Sequence, residues 1–400
     1  MGTDRSGAPL PLEGIAVVSL EQAVAAPFAT RQLADLGARV IKVERPGGGD
    51  FARDYDSAVH GLSSYFVWLN RGKESLTLDV KSEDGRDVLR RLLRRADVFV
   101  HNLGPGAVAR LGFGADDLAA LNPRLIGCAV NGYGNAGSWS HRKAYDLLIQ
   151  CQTGLVSLTG GPESGARVGV SIADIAAGMY AYSGVLAALL TRANTGVARA
   201  VEVSLFDALA EWMSQPAYYT AGTGTQPPRL GTHHATIAPY GAYTAKDGRE
   251  VLFSVQNDVE WRTFCAEFLE DPSVADDPRF STSSARVTNR AELDVLIAAA
   301  YASRSSDEVT ALLDRLRIAN APINEVADFL KHPVLAERDR WREVATPGGP
   351  ISALLPPVDL MGTEPLMGAV PALGAHTDQL LAELGFDAAT RERFHADGVV

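Results

Sequence analysis

The sequence predicts an α/β protein, with a mostly parallel sheet covered by helices on both faces and a smaller α+β domain after it. Two observations carry this. Short apolar runs rich in β-branched residues alternate with helical patterns through the first half of the chain, and such alternation belongs to parallel sheets whose crossovers are helices. At residues 221–234, AGTGTQPPRLGTHH, apolar periodicity stops and Gly, Thr and Pro take over, which marks the passage into a second domain.

GIAVVSL (14–20) reads as the first strand, Ala26 to Leu36 as a helix stopped by Gly37, and RVIKVE (39–44) as the second strand, together a βαβ unit. The rhythm continues with SLTLDV (75–80), a helix from Gly85 to Arg95, DVFVHNL (97–103), a helix from Asp116 to Leu121 and RLIGCAV (124–130). A strand-like RVGVSI (167–172) gives way to a helix over 174–193, uncharged from Ile175 to Leu190, followed by the strand ARAVEVSL (198–205) and a helix from Asp207 to Ser214. Beyond the break, GAYTA and EVLFSV form a hairpin turned by KDG (246–248), with helices over 259–268, 289–302 and 306–317. A second Pro and Gly cluster, TPGGP (346–350), precedes the C-terminal segment. The expected division is 1–220, 221–325 and 326–400.

Composition excludes several function classes. The 400 residues carry 48 acidic and 37 basic side chains, a net charge of −11, so broad nucleic-acid binding is not expected and an anionic ligand needs a local basic cluster. Apolar residues at 46% and charged residues at 21% suit a soluble globular chain of two or three domains. Three cysteines, Cys128, Cys151 and Cys265, form no C-x-x-C pair, which argues against a disulfide framework or thiolate zinc site and for a reducing, cytoplasmic setting. The start MGTDRSGAPLPLEG has no apolar leader region and sets Asp4 and Arg5 beside Ser6, so neither a signal peptide nor myristoylation is expected. The run from Ile175 to Leu190 is uncharged but punctuated by Gly178, Ser183 and Gly184; it reads as a buried helix at a subunit interface, not a membrane span.

The first strand-to-helix turn, EQAVAAPF, contains no glycine, which rejects a dinucleotide fingerprint, and no P-loop is present. His233 and His234 are adjacent, so their side chains diverge in an extended segment, and no metal site is expected. Asp174 sits in the first turn of the helix over 174–193, where free N–H groups favour its ionised form. There it can act as a covalent nucleophile toward an activated acyl group. Ser171-x-x-Asp174 is also a capping-box spacing, which makes a purely structural cap the competing reading. Arg45, Arg53, Arg71, Lys73, Arg110 and Lys143 fall near strand ends, where open α/β sheets place their ligand crevice. GGGD (47–50) and GPG (104–106) can offer backbone N–H groups to an anion or simply make turns.

Taken together, PLEGIAVVSL, LADLGARVIKVERPGGGDFAR, LNRGKESLTLDVKSEDGRDVLRRLLRRADVFVHNLGPGAVARLGF, NPRLIGCAVNGYG, KAYDLLIQCQTGLVSLTG, SIADIAAGMYA, VEVSLFDALAEWM and GAHTDQLLAELGF resemble the class III CoA-transferases, whose divergent branch includes α-methylacyl-CoA racemase. The resemblance covers nearly the whole chain. It implies a Rossmann-like large domain, a smaller domain and a C-terminal return to the large one, in an interlocked homodimer. It implies Asp174 as nucleophile and CoA contacts at Arg45 for the nucleotide phosphates, at Leu69, Asn70 and Lys73 around the adenosine, at Asn102 and Arg110 along the HNLGPG turn, and at Lys143 and Tyr145 near the thioester. No permanently bound cofactor is implied; acyl-CoA and small carboxylates are substrates. Racemases of the family place His beside Asp where this chain has Tyr145-Asp146, so an imidazole for proton exchange is missing. Val24 stands where formyl-CoA transferases carry glutamine, and the small domain has no four-glycine loop, both against formate and oxalate. The expected activity is CoA transfer between short-chain acids of the C4 and C5 dicarboxylic kind (itaconate, mesaconate, citramalate or succinate-like) through an aspartyl-CoA thioester. A racemase-type isomerase and a non-catalytic CoA-binding scaffold are the alternatives.

Overall fold

A computed structural model describes residues 9–400; the expectations for a leader or lipid anchor concern the segment before them and lie outside the described residues. The chain forms two compact units. The first takes residues up to Thr153, Val168–Ser214 and Arg338–Val400, and the second takes Gly154–Arg167 and Gln215–Glu337. The expected boundaries at 220 and 325 therefore move to 214 and 337, and the excursion 154–167 is an addition. Sequence reading misses it because GLVSLTGGPESGAR has the composition of an ordinary loop.

In chain order the first unit contains β1 (Ala16–Leu20), α1 (Ala25–Asp35), β2 (Arg39–Glu44), α2 (Ser64–Asn70), β3 (Lys73–Thr77), α3 (Glu83–Arg95), β4 (Val98–His101), α4 (Ala107–Arg110), α5 (Ala115–Leu121), β5 (Ile126–Asn131) and α6 (Asp146–Gln152). The excursion holds α7 (Leu155–Leu158) and a small hairpin of β6 (Gly160–Gly161) and β7 (Ser164–Gly165). The first unit resumes with α8 (Ile172–Thr195), β8 (Val201–Ser204) and α9 (Leu205–Trp212). Its six strands lie in the order β3-β2-β1-β4-β5-β8, and every neighbouring pair is parallel. The order in which strands are added runs one way from β1 to β3 and the other way from β4 onward, so the crevice beyond the carboxyl ends of β1 and β4 is the switch point where such sheets bind ligands.

Two strand expectations are corrected. SLTLDV pairs only to Thr77, with its strand starting two residues earlier at Lys73, and RVGVSI forms no strand at all. Apolar alternation there has no partner strand to satisfy its backbone, so the segment runs as coil into α8. α3 forms where the sequence supplies every terminus signal: Ser82 accepts from the Gly85 N–H, Glu83 and Asp84 occupy the first turn, and Arg94 and Arg95 the last.

The core of this unit gathers Val18, Leu20, Ile41, Val43, Leu76 and Phe99 from the sheet with Leu89, Leu92 and Leu93 of α3 and, from the C-terminal return, Leu380, Leu381 and Phe394. That return also closes the sheet edge. Ser75 and Thr77 of edge strand β3 donate their N–H groups to His376 Nδ1 and Thr377 Oγ1, both at 3.1 Å, which removes an open edge.

The second unit runs through α10 (Ser214–Thr223), β9 (Tyr240–Thr244), β10 (Glu250–Ser254), α11 (Asp258–Thr263), α12 (Ser283–Thr288), α13 (Arg290–Ala302), α14 (Ser306–Arg315), β11 (Ala319–Pro322), α15 (Val326–Leu330) and α16 (Pro333–Glu337). Its antiparallel sheet, ordered β11-β10-β9, contains the expected GAYTA/EVLFSV hairpin. The sheet packs on Trp261, Phe264, Phe268, Leu293, Ile297, Tyr301 and Leu313. The chain then re-enters the first unit with β12 (Trp341–Val344), β13 (Ile351–Leu354), α17 (Thr377–Glu383) and α18 (Ala388–Ala396).

α8 is long and apolar enough to span a bilayer, with a hydropathy of 1.4 over its most apolar window. Instead it buries Ala173, Ala176, Ala177, Ala181 and Val185 within the first unit, closely against α1. The approach depends on Gly178, where a Cβ would meet the Ala25 carbonyl oxygen at 2.6 Å. Gly178→Ala therefore forces the two helices apart and is expected to destabilise the unit by about 1–3 kcal/mol, read as a lowered thermal unfolding midpoint. An unchanged midpoint contradicts this packing.

Candidate active site

The crevice at the β1/β4 switch point is a cavity of about 470 Å³. Its walls are Leu20–Gln22 after β1, Val43–Arg45 with Gly49 and Asp50 after β2, Leu78–Lys81 after β3, and Leu103, Ala107, Arg110 and Leu111 after β4. Four carboxylates, Glu21, Glu44, Asp50 and Asp79, lie in this lining, which at first sight suits a polyanion poorly.

The first three are already neutralised from within. Lys42 donates to Asp50 Oδ2 at 2.8 Å and stands 3.5 Å from Glu21 Oε1, while Lys73 donates to Glu21 Oε1 at 2.7 Å and Arg53 pairs with Glu44 at 2.8 Å. Burial pushes the Glu21 carboxyl upward, but the ammonium groups of Lys73 and Lys42 outweigh it and hold Glu21 below the usual carboxylate range. Burial likewise opposes the charge of Lys42, yet Glu21, Asp50 and Glu44 overcome it and raise the ammonium pKa. Lys73 ends at about 8, because burial and the repulsion of Lys42 exceed what Glu21 returns.

The cations expected at strand ends thus sort into two groups. Arg53, Arg71 and Lys73 are framework: Arg71 grips Asp35 with two bonds of 2.9 and 2.8 Å, and Lys73 is fully enclosed. Arg45, Arg110 and Lys143 are exposed and have no carboxylate partner among the described residues. Arg45 and Arg110 line the crevice; Arg110 lies over the GPG turn, donating to the Pro105 carbonyl at 3.3 Å.

The adenosine contacts expected at Leu69, Asn70 and Lys73 are corrected. Leu69 and Asn70 are 0% exposed, and the Asn70 amide is used up between the Phe66 carbonyl and Lys73. The residues that do line the cavity on this side are Leu78 and Lys81. The sequence pattern hides them because SLTLDV reads as strand to Val80, whereas β3 stops at Thr77 and opens the following residues to the crevice. Asn102 also has a different job: it accepts from the Gln22 N–H at 2.9 Å and donates to the Gln22 carbonyl at 2.7 Å, clamping the turn after β1. That turn holds Ala23 at φ 62°, a left-handed conformation, with Asp50 accepting its N–H at 3.1 Å.

Asp174 lies in the first turn of α8, partly exposed, and its carboxylate makes no hydrogen bond with any described residue. The capping reading fails, since Ser171 makes no side-chain cap bond. The cap comes from α6: Asp146 Oδ1 accepts the N–H of Ala173 at 2.7 Å and of Asp174 at 3.3 Å. With its own helix capped by another residue, the Asp174 carboxylate is free. Its expected ionisation is corrected as well. Burial, then the negative charge of Asp146, push the Asp174 carboxyl up to about 7. The Tyr55 phenol is raised to about 12 by burial and then by the carboxylates of Asp50 and Asp174. Tyr145 is 66% exposed immediately before α6, with Lys143 exposed two residues earlier.

An α/β unit with a partnerless carboxylate on a helix start and unpaired cations at its switch point has the parts of an enzyme that handles activated acyl groups carried on a phosphorylated ligand. The chain belongs to CoA-transferase family III, whose model matches residues 12–377. It is 34% identical to the succinyl-CoA:glutarate CoA-transferase of Mus musculus, over 98% of this chain and 90% of that one. It is 32% identical to the succinyl-CoA:mesaconate CoA-transferase of Haloarcula hispanica, over 95% and 98%. Among solved structures it resembles a CAIB/BAIF family protein from Brucella suis, with a TM-score of 0.86, 34% identity, and coverage of 94% of this chain and 100% of that one. The protein is an enzyme of the CoA-transferase class.

The Asp174 carboxyl is raised to about 7, so any rate that needs its anion is expected to fall as pH drops through about 7, tenfold per unit at the limit, read in kcat/KM for an acyl-CoA donor. The same shift has a stability consequence. The folded state binds this proton up to a higher pH than the unfolded state, so Asp174 costs stability increasingly as pH rises from the unfolded carboxylate range through 7. Asp174→Asn is therefore expected to raise the thermal midpoint at pH 8 and leave it nearly unchanged at pH 4; an equal effect at both contradicts the shift.

Proposed function

We propose that the enzyme moves CoA between short dicarboxylic acids of the C4 and C5 class, with Asp174 as the covalent nucleophile. The single observation that carries the nucleophile is the free carboxylate at the start of α8, its helix capped from α6. The substrate class is supported by relatives named for succinyl-CoA with glutarate, mesaconate and citramalate.

The Asp174 carboxylate oxygen adds to the donor thioester carbonyl and the C–S bond breaks, giving a mixed anhydride and CoA thiolate. The thiolate attacks the aspartyl carbonyl of that anhydride; the donor acid leaves as carboxylate and Asp174 becomes a CoA thioester. The acceptor carboxylate then attacks this thioester, regenerating anhydride and thiolate, and the thiolate takes the acceptor acyl group. Asp174 returns as carboxylate. One thioester is exchanged for another, and the anhydride steps divide one displacement between carboxylate and thiolate nucleophiles into easier ones.

CoA lies in the switch-point crevice. Arg45, Arg110 and Lys81 meet its phosphates and Leu78 and Leu103 its apolar parts; Lys143 and Tyr145, exposed ahead of α6, serve the thioester end. The enzyme acts as a homodimer in a reducing, cytoplasmic compartment. The apolar residues that α8 leaves exposed, Met179 and Leu190 among them, support the first, and the unpaired Cys128, Cys151 and Cys265 the second.

A mass-read assay of several acyl-CoA donors against carboxylate acceptors tests the reading. Succinyl-CoA is expected to pass CoA to a C4 or C5 dicarboxylate, and Asp174→Ala to lower the rate by on the order of 10⁴-fold or more. Undiminished transfer by Asp174→Ala overturns the nucleophile; deuterium uptake at C2 of a branched acyl-CoA without transfer would favour the racemase reading. Arg45→Ala and Arg110→Ala are each expected to raise KM for the donor by about 10-fold or more with kcat held within a few fold, since each removes a charge-assisted contact.

A further inference from the structure

We propose that Asp146 is a positioning residue for Asp174, holding the first turn of α8 in place and setting the pH range over which the nucleophile is ionised. The inference rests on the assignment of Asp174 as nucleophile. Its basis is geometric. One Asp146 oxygen spans the N–H groups of Ala173 and Asp174, at 2.7 and 3.3 Å, the second of these being the nucleophile's own backbone. The other oxygen accepts from the fully buried Gln150 amide at 2.7 Å, and Gln150 in turn accepts the Val168 N–H at 3.0 Å. Residues 168–171 are the coil by which the chain re-enters the first unit and runs into α8. Asp146 and Gln150, one turn apart on α6, thus pin both ends of the segment that delivers Asp174.

This arrangement separates two tasks that a carboxylate in a helix first turn usually combines. Asp146 satisfies the free N–H groups, so the Asp174 oxygens are left for chemistry. The cost is a second negative charge nearby, which disfavours ionisation of the nucleophile. The elements packed against α8 carry Asp146 on α6, Arg31 and Asp35 on α1, Glu202 on β8, Asp207 and Glu211 on α9, and on β5 the Cys128 thiol, which burial pushes up to about 12; of these, Asp146 is the group that raises the Asp174 carboxyl.

Asp146→Asn keeps an oxygen for the two N–H groups and removes the charge, while Asp146→Ala removes both. The test measures pH profiles of kcat and kcat/KM for both variants and for the parent, with Asp174→Ala alongside. Asp146→Asn is expected to move the acid limb downward by on the order of half to one pH unit. Asp146→Ala is expected to lower the plateau kcat by about 10-fold or more relative to Asp146→Asn, with donor KM within about twofold, because the nucleophile loses its fixed geometry. An unmoved acid limb in a folded, active Asp146→Asn enzyme overturns the electrostatic role, and equal plateaus for the two variants overturn the positioning role. If Asp174→Ala still transfers CoA, the underlying nucleophile assignment fails; if it is inactive while Asp146→Asn keeps the parent profile, the inference about Asp146 alone fails.

Discussion

The start of α8 takes its cap from α6, and the freedom of the Asp174 carboxylate depends on that exchange. A helix start needs acceptors for its N–H groups, and the nearest carboxylate in sequence, Asp174, would ordinarily supply one. Asp146 supplies it instead. The carboxylate of Asp174 is then held by the backbone it grows from, without being consumed by that backbone. α8 can be so placed because its buried face is small, with Gly178 allowing α1 to approach closely.

Charge in the same unit is arranged on a similar division of labour. An acidic chain must present cations to a phosphorylated ligand, and the crevice walls include carboxylates that would repel it. Lys42, Lys73 and Arg53 pair with Glu21, Glu44 and Asp50 below the surface and leave Arg45, Lys81 and Arg110 as the outward charges. The buried pairs do more than neutralise: Asp50 also holds the left-handed Ala23, and Asn102 holds Gln22, so the turn that takes the place of a glycine-rich loop is kept open by side chains.

Much of this was legible in the sequence, and the failures follow a pattern. The parallel sheet, the long apolar helix with Asp174 in its first turn, and the second unit's hairpin could be read from periodicity and motif, because each is a local signal. Lys73 and Lys81 show where local reading fails. Both are lysines at an end of β3, and only the strand's true limits, set by pairing with β2, decide that Lys73 is enclosed while Lys81 meets the crevice. The ionisation of Asp174 fails in the same way. A helix start argues for an ordinary carboxylate, but burial and a like charge 28 residues away in sequence decide otherwise.

The central claim is that Asp174 carries CoA during turnover. The most direct measurement is to incubate the enzyme with succinyl-CoA, quench with hydroxylamine and map the modified peptide by mass. The account predicts a hydroxamate on Asp174, dependent on the donor and suppressed by excess acceptor acid. A hydroxamate on a different carboxylate, or none from an enzyme that is actively transferring CoA, contradicts it.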